Sequence, residues 1–296
     1  MLAERREEFM ETSKLMEGAI DIHIHTGPDP NRRRRVNGYE AALQAKEARM
    51  RAVVFKSHDY NTTPVAYTIQ PLVPEVELYG GVSLNFETGG LNPDAVEAAG
   101  KLGSKIVWMP TFSSKNDMQK RNIPNKGISI LNTAGNILPV VKDILELIKR
   151  YDMVLSTGHL STQEIFALLE LADSMKIEKI VVTHPLSIRV GPTATIEEQR
   201  QMMRSGLYFE HCFTACMPQS DRLDPGKIAE AVRAIGPEHC ILSTDFGQIT
   251  NPPPVEGMRM YIETMRLLGI TPEEIETMIK KNPARVLGLK DSHDTL

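Results

Sequence analysis

Short runs of apolar and β-branched residues recur along the chain between stretches that carry helical periodicity. Eight such runs stand at 19–25 (AIDIHIH), 52–58 (AVVFKSH), 76–84 (VELYGGVSL), 105–109 (KIVWM), 153–158 (MVLSTG), 179–184 (KIVVTH), 207–213 (LYFEHCF) and 240–246 (CILSTDF). Near-continuous apolar runs of this length suit parallel strands covered on both faces. Helix starts lie between them. Ser161 with Glu164 has the spacing of a capping box and is followed by Ile165, Leu168, Leu169 and Ala172 on one helical face. Thr195 with Glu198 repeats the signature before a helix over 199–205. Asp224 before Pro225, and Thr271 before Pro272 with Glu274, place a cap and then a proline in a first turn.

Eight strands alternating with helices over roughly 250 residues predict an α/β fold, a single-domain (β/α)8 TIM barrel. An open doubly wound sheet is the runner-up, but no G-x-G-x-x-G turn follows any run. Residues 1–17 are expected to form a short charged helical segment, and 18–296 the barrel with a closing C-terminal helix. The long irregular stretch 111–136, with the Ile123, Pro124, Asn125, Lys126, Gly127 segment inside it, is expected to be a functional cover or flexible surface.

Composition narrows the partners. Thirty-four Lys and Arg against 38 Asp and Glu leave a net charge of −4, so no overall positive field gathers nucleic acid or anionic membrane. No apolar run approaches the roughly 18 residues of a membrane span, and the charged start is unlike a signal peptide. The odd set of Cys212, Cys216 and Cys240 does not suggest a disulfide framework. The expectation is a cytoplasmic protein acting on a small molecule, with homo-oligomerisation left open.

The histidines carry the chemistry. A barrel builds its site at the carboxyl ends of its strands. His23 and His25 end the first run, His58 the second and His184 the sixth; His159 follows the fifth and Asp245 lies near the end of the eighth. Residues two apart on a strand share a side, so His23 and His25 can grip one ion. An isolated H-x-H pair is equally compatible with an ordinary surface strand. The additional groups on separate strand tips shift the balance towards a site.

This order of H-x-H, His, His and Asp on runs one, five, six and eight resembles the amidohydrolase superfamily of metal-dependent hydrolases. The resemblance spans nearly the whole chain and includes 282–289 (NPARVLGL) as a closing helix motif. More narrowly, 18–25 (GAIDIHIH), 56–58 (KSH), 108–111 (WMPT) and 251–254 (NPPP) look like an amidohydrolase-related family with no assigned substrate. The resemblance implies that His23 and His25 hold a first, more buried divalent ion. His159 and His184 would hold a second or line its site, while Asp245 touches the first and handles protons. Imidazole and carboxylate donors put Zn²⁺ first among the metals, with Mn²⁺, Fe²⁺ and Ni²⁺ behind.

One departure concerns the bridge between ions. Many two-metal members carry a carboxylated Lys or a Glu at the end of strand four, where this chain reads Val107, Trp108, Met109, Pro110, Thr111. Lys56 shares side-chain parity with Val54 and His58 and is expected to project inward. It is a candidate bridging ligand after carboxylation, or a charged substrate anchor; the bland alternative is a lysine snorkelling to the rim.

The implied chemistry is hydrolysis of an amide, lactone or ester. A divalent ion acidifies bound water and polarises a carbonyl, with Asp245 as the catalytic proton acceptor and donor and His184 or His58 stabilising an oxyanion. Arg32 to Arg35 follow the H-x-H strand. From this run Arg32 and Arg33 are the candidates, with His58, for binding an anionic substrate; a solvated basic loop is the alternative. Glu210 and His211 alternate, so at most one faces the interior, and both stay outside the metal set. Cys212 and Cys216 read as buried apolar cysteines. A single-zinc decarboxylase of the same superfamily, and a metal-free binding barrel without catalysis, are the competing functions.

Overall fold

The structure, a computed structural model, describes residues 11–123 and 126–290. Among the described residues nine short strands are all parallel: β1 (Ile20–His25), β2 (Ala52–Lys56), β3 (Glu77–Tyr79), β4 (Gly81–Ser83), β5 (Ile106–Trp108), β6 (Val154–Ser156), β7 (Ile180–Thr183), β8 (Leu207–Cys212) and β9 (Cys240–Ser243). The predicted third strand is divided at Gly80. β3 pairs with β2 and β4 with β5, so the two pieces form one stave of the barrel. A Cβ on Gly80 would stand 2.4 Å from the Thr63 backbone nitrogen, so the break is where the preceding helix, Thr63–Ile69, touches the stave.

The barrel closes between its last and first staves. Asp245 N donates to His23 O at 2.8 Å, and His25 N donates to Phe246 O at 2.7 Å. Asp21 braces the same seam, accepting from Thr244 Oγ1 at 2.6 Å and from Thr244 N at 3.2 Å. The molecule is therefore the (β/α)8 barrel expected from the alternating runs, with eight staves.

Two apolar layers explain the near-continuous runs. Ile20, Ile22, Val54, Ile106, Val181 and Ile241 fill the inside, where Ala284, Val286 and Leu287 of the C-terminal helix (Asn282–Leu287) join them and plug the amino end. The alternate residues, among them Val53, Phe55, Leu155, Val182, Phe209 and Leu242, face the surrounding helices. Each face is covered, as parallel sheets require.

The helix starts also follow the sequence. Ser161, Thr195 and Thr271 complete capping boxes with Glu164, Glu198 and Glu274, while Asp224 caps the helix Pro225–Ile235. The helix expected over 199–205 lies earlier, at Ile196–Met202, because it begins directly after its Thr195 cap. Residues 11–16 are helical, whereas the rest of the expected 1–17 segment, Pro124, Asn125 and the polar tail from 291 lie outside the described residues. Among the described residues no helix is long and apolar enough to cross a membrane.

Candidate metal and catalytic site

A bulge aims the H-x-H pair. β1 is in register with β2 at Asp21 and again at Ile24, but spends one extra residue in between. Ile20 and Ile22 point into the barrel below this irregularity and Ile24 faces the helices; His23 and His25 are thereby turned to the inner rim. A one-residue insertion changes which face a strand presents, a device common beside active sites. β2 needs no such change: Val54 and Lys56 keep one parity, and Lys56 points inward as expected.

The loop starts after the strands supply the remaining groups. His184 and Asp245 have left-handed backbones, with φ of 54° and 53°, a strained conformation for non-glycine residues and one that concentrates at functional sites. Gly158, which precedes His159, is also left-handed at 58°, and a Cβ there would lie 2.2 Å from Met109 O. Close backbone packing thus sets where the imidazole of His159 begins.

These turns bring His23, His25 and Asp245 together. Asp245 Oδ1 is 2.9 Å from His25 Nε2 and 3.2 Å from His23 Nε2, while Oδ2 is 3.7 Å from His184 Nε2. One donor atom from each of His23, His25 and Asp245 lies within 4.8 Å of the others, and all three residues are buried. His23, His184 and Cys212 form a second group of this kind. The buried Cys212 thiol is pushed well above its ordinary value, first by burial and then by Glu210 and Asp245.

The electrostatics suit a cation. Burial raises the Asp245 carboxyl, but His23 and His25 outweigh it and hold it well below the usual carboxylate range. Burial and Arg34 push His25 down to about 3, and burial pushes His184 down to about 3 against the pull of Asp245. Burial likewise holds His58 and His159 well below their ordinary values. Burial and Lys56 lower His23, but Asp245 and Glu210 outweigh them and raise it; the neutral imidazoles of His25 and His184 beside an ionised carboxylate are the chemistry of a divalent-metal donor set, which His23 joins once deprotonated. The residues present therefore fit a metal, with His23, His25 and Asp245 as its holders and His184 next to them.

Lys56 enters this group directly. It is fully buried, its Nζ is 2.9 Å from His23 Nε2, and it lies 5.2 Å from the centroid of the Trp108 ring. Burial lowers its pKa, partly offset by Asp245 and Glu210. Trp108, the last residue of β5 on the fourth stave, stands where two-metal relatives carry a bridging carboxylate.

Two carboxylates orient histidines from behind. Glu210 Oε1 is 3.2 Å from His23 Nδ1, and Asp117 Oδ2 is 2.8 Å from His159 Nδ1. A proton on each Nδ1 leaves Nε2 as the lone-pair nitrogen, the usual arrangement of carboxylate–histidine–metal sites. Burial raises Glu210, but the charge and hydrogen bond of His23 overcome it and hold it at about 2. Parity allowed only one of Glu210 and His211 inside, and Glu210 is that residue. Asp117 was missed. Its signal was the Ser114 cap, which accepts from Asp117 N at 3.0 Å at the start of Lys115–Lys120, but a cap does not reveal a partner on another loop.

Above the ion site lies a cavity of about 180 Å³, lined by His25, Arg34, His58, His159, His184 and Asp245 among others. His58 stacks on Phe112, with ring centroids 3.9 Å apart, and its Nδ1 meets Thr111 Oγ1 at 2.8 Å. Asn85 Nδ2 donates to the same hydroxyl at 2.6 Å; the hydroxyl still has its own proton to give His58 Nδ1, an arrangement that places the ring proton on Nε2. Arg32 also lines the cavity, 4.7 Å over Phe112. Arg33 is exposed and does not line it; the turn at Asp29 directs Arg34 inward in its place.

Fold and site together define a (β/α)8 barrel with a rim of metal-competent side chains. The structure is similar to the probable dipeptidase PvdM from Pseudomonas aeruginosa, with 11% identity, 96% of this chain and 98% of that one covered, and a TM-score of 0.65. It is similar to an amidohydrolase from Pseudomonas aeruginosa at 13% identity, 93% and 98% coverage and a TM-score of 0.62. A 2,6-dihydroxybenzoate decarboxylase from Rhizobium gives 10%, 92% and 99%, and 0.60. At these identities the likeness is one of fold, the (β/α)8 barrel. No curated protein matches. Residues 18–210 match the model of a family of unknown function (DUF6282), and the chain belongs to that family.

Proposed function

We propose that this chain is a metal-dependent hydrolase that attacks a carbonyl carbon of a small amide, lactone or ester. The observation that carries the reading is the buried meeting of His23, His25 and Asp245 at the carboxyl rim of the barrel. A divalent ion, zinc first by donor type, supplies an acidified water and a Lewis acid when bound. His23 and His25 hold it from one strand. Lys56 is the bridging ligand or anchor candidate, and His159 and His184 line the adjoining position.

The two oxygens of Asp245 divide the work. Oδ1 faces both histidines of β1, whereas Oδ2 is the oxygen directed to His184. Oδ2 is thus the atom placed to accept a proton from the attacking water and return it to the leaving group. His58, with Nε2–H turned to the cavity, and His184 are the donors for negative charge on the carbonyl oxygen. Three free cysteines fit the cytoplasmic reading.

The test is an Asp245→Asn variant assayed on a panel of amides, lactones and esters. In variant protein loaded with zinc to the wild-type content, turnover should fall by on the order of a hundredfold or more; full turnover at that content contradicts the role given to Asp245. Decarboxylation is the second reading, favoured by the guanidinium of Arg34 beside the site. Oxygen-18 entering product from solvent water supports hydrolysis, and CO2 release without water incorporation supports decarboxylation.

A further inference from the structure

The loop between β1 and the helix Gly38–Glu47 is pinned at both ends. Gly27 N donates to Val36 O at 2.9 Å, and Gly38 N donates to Gly27 O at 3.1 Å. Its middle is stitched to the segment after β9, where Arg35 N donates to Gly247 O at 2.8 Å and Arg34 bridges Gln248. Asp29 organises the interior of the loop, accepting from Asn31 N at 2.9 Å and Arg32 N at 2.8 Å. The arginines are presented on a built scaffold.

They are presented unequally. Arg32 has a side chain 37% exposed, pairs with Asp59 at 3.1 Å and stacks on Phe112. Arg34 has a side chain only 4% exposed and lines the cavity beside His25 and Asp245. Its Nε donates to Asp29 Oδ2 at 2.8 Å, and Nη2 lies 2.7 Å from the same oxygen. Both nitrogens converge on one atom, and the buried Nη2 has no aligned hydrogen bond. A guanidinium carries five N–H donors, and the buried Nη2 of this one, although paired in charge with Asp29, has no aligned acceptor among the described residues. Such a group is costly unless a ligand completes it.

We propose that Arg34 is the substrate-anion subsite and that the substrate is a small molecule bearing a carboxylate, held by this fork beside the carbonyl to be attacked. The inference rests on the hydrolase reading only in taking this cavity as the reaction site. A monoanionic carboxylate matches a planar fork bidentately. A phosphate dianion would bring a second charge against Asp29 and Asp245. Phe112, Val190 and Met217 give the rest of the cavity an apolar wall, which suits a compact organic body behind the charge.

Calorimetry with benzoate and its neutral isostere benzamide tests the proposal, using chelator-treated and zinc-loaded full-length protein. The expected result is that benzoate binds the chelator-treated protein more tightly than benzamide by roughly tenfold or more. Arg34→Met should abolish this preference, Arg34→Lys should retain part of it, and Arg33→Met should leave it intact. The wild-type comparison stands even where Arg34→Met does not fold. Equal binding of the two probes, binding of neither, or a preference unchanged in both Arg34 variants overturns the subsite. Benzoate binding confined to zinc-loaded protein and insensitive to Arg34 also overturns it while leaving the metal site standing. Metal content, read separately, decides that site.

Discussion

Asp117 Oδ2 lies 2.8 Å from His159 Nδ1, tying the loop after the fourth stave to the tip of the fifth. Asp117 is fully buried and is also bound by Arg121 at 2.5 Å. The carboxylate fixes which imidazole nitrogen carries the proton and so turns Nε2 of His159 into the cavity. Asp117→Asn keeps the shape but weakens that choice. NMR of the histidine ring nitrogens should show His159 moving from one dominant tautomer to a mixture. An unchanged Nδ1–H signal contradicts the positioning role.

Glu210 on β8 does the same for His23 on β1. Glu210→Gln should lower divalent-metal affinity by roughly tenfold to a hundredfold, the usual cost of losing a carboxylate behind a histidine ligand. Competition with a chromophoric chelator measures it. Wild-type affinity in a folded Glu210→Gln protein contradicts the assignment.

The site was legible where its geometry follows from strand alternation. Lys56 shares its stave with Val54, so its inward direction needed only parity. Glu210 likewise had to exclude His211. What was not legible depends on local register or distant pairing. The extra residue between Asp21 and Ile24 lets Ile22 and His23 both serve the interior, and no composition rule announces it. Asp117 and His159 are 42 residues apart, and Glu210 and His23 are 187 apart. Arg34 rather than Arg33 faces the cavity because the Asp29 carboxylate folds the loop around itself by accepting from Asn31 N and Arg32 N.

The fold makes a separate prediction at its seam. Asp21 accepts from Thr244 Oγ1, Thr244 N and His23 N, and burial raises its carboxyl to about 7 against those hydrogen bonds. Asp21→Ala leaves buried donors without an acceptor and should cost roughly 3 kcal/mol. Asp21→Asn, close in shape to the neutral acid, should cost less. Equilibrium denaturation orders the variants; an Asp21→Ala protein as stable as wild type contradicts the brace.

Lys56 has its amine beside the nitrogen of His23 that would face an ion. The bridging reading expects electron density for a carboxylate on Nζ in zinc-loaded crystals grown with bicarbonate. Lys56→Met should then lower ion content. A plain ammonium beside two bound ions rules the bridge out.

The central claim is that His23, His25 and Asp245 hold a divalent ion. The direct measurement is elemental analysis of full-length protein purified without chelator, before and after incubation with zinc, alongside a folded His23→Ala, His25→Ala double variant. The account predicts at least one ion per chain in the wild type and a loss of that ion in the variant. Wild-type protein that carries no divalent ion and gains none on incubation would contradict it.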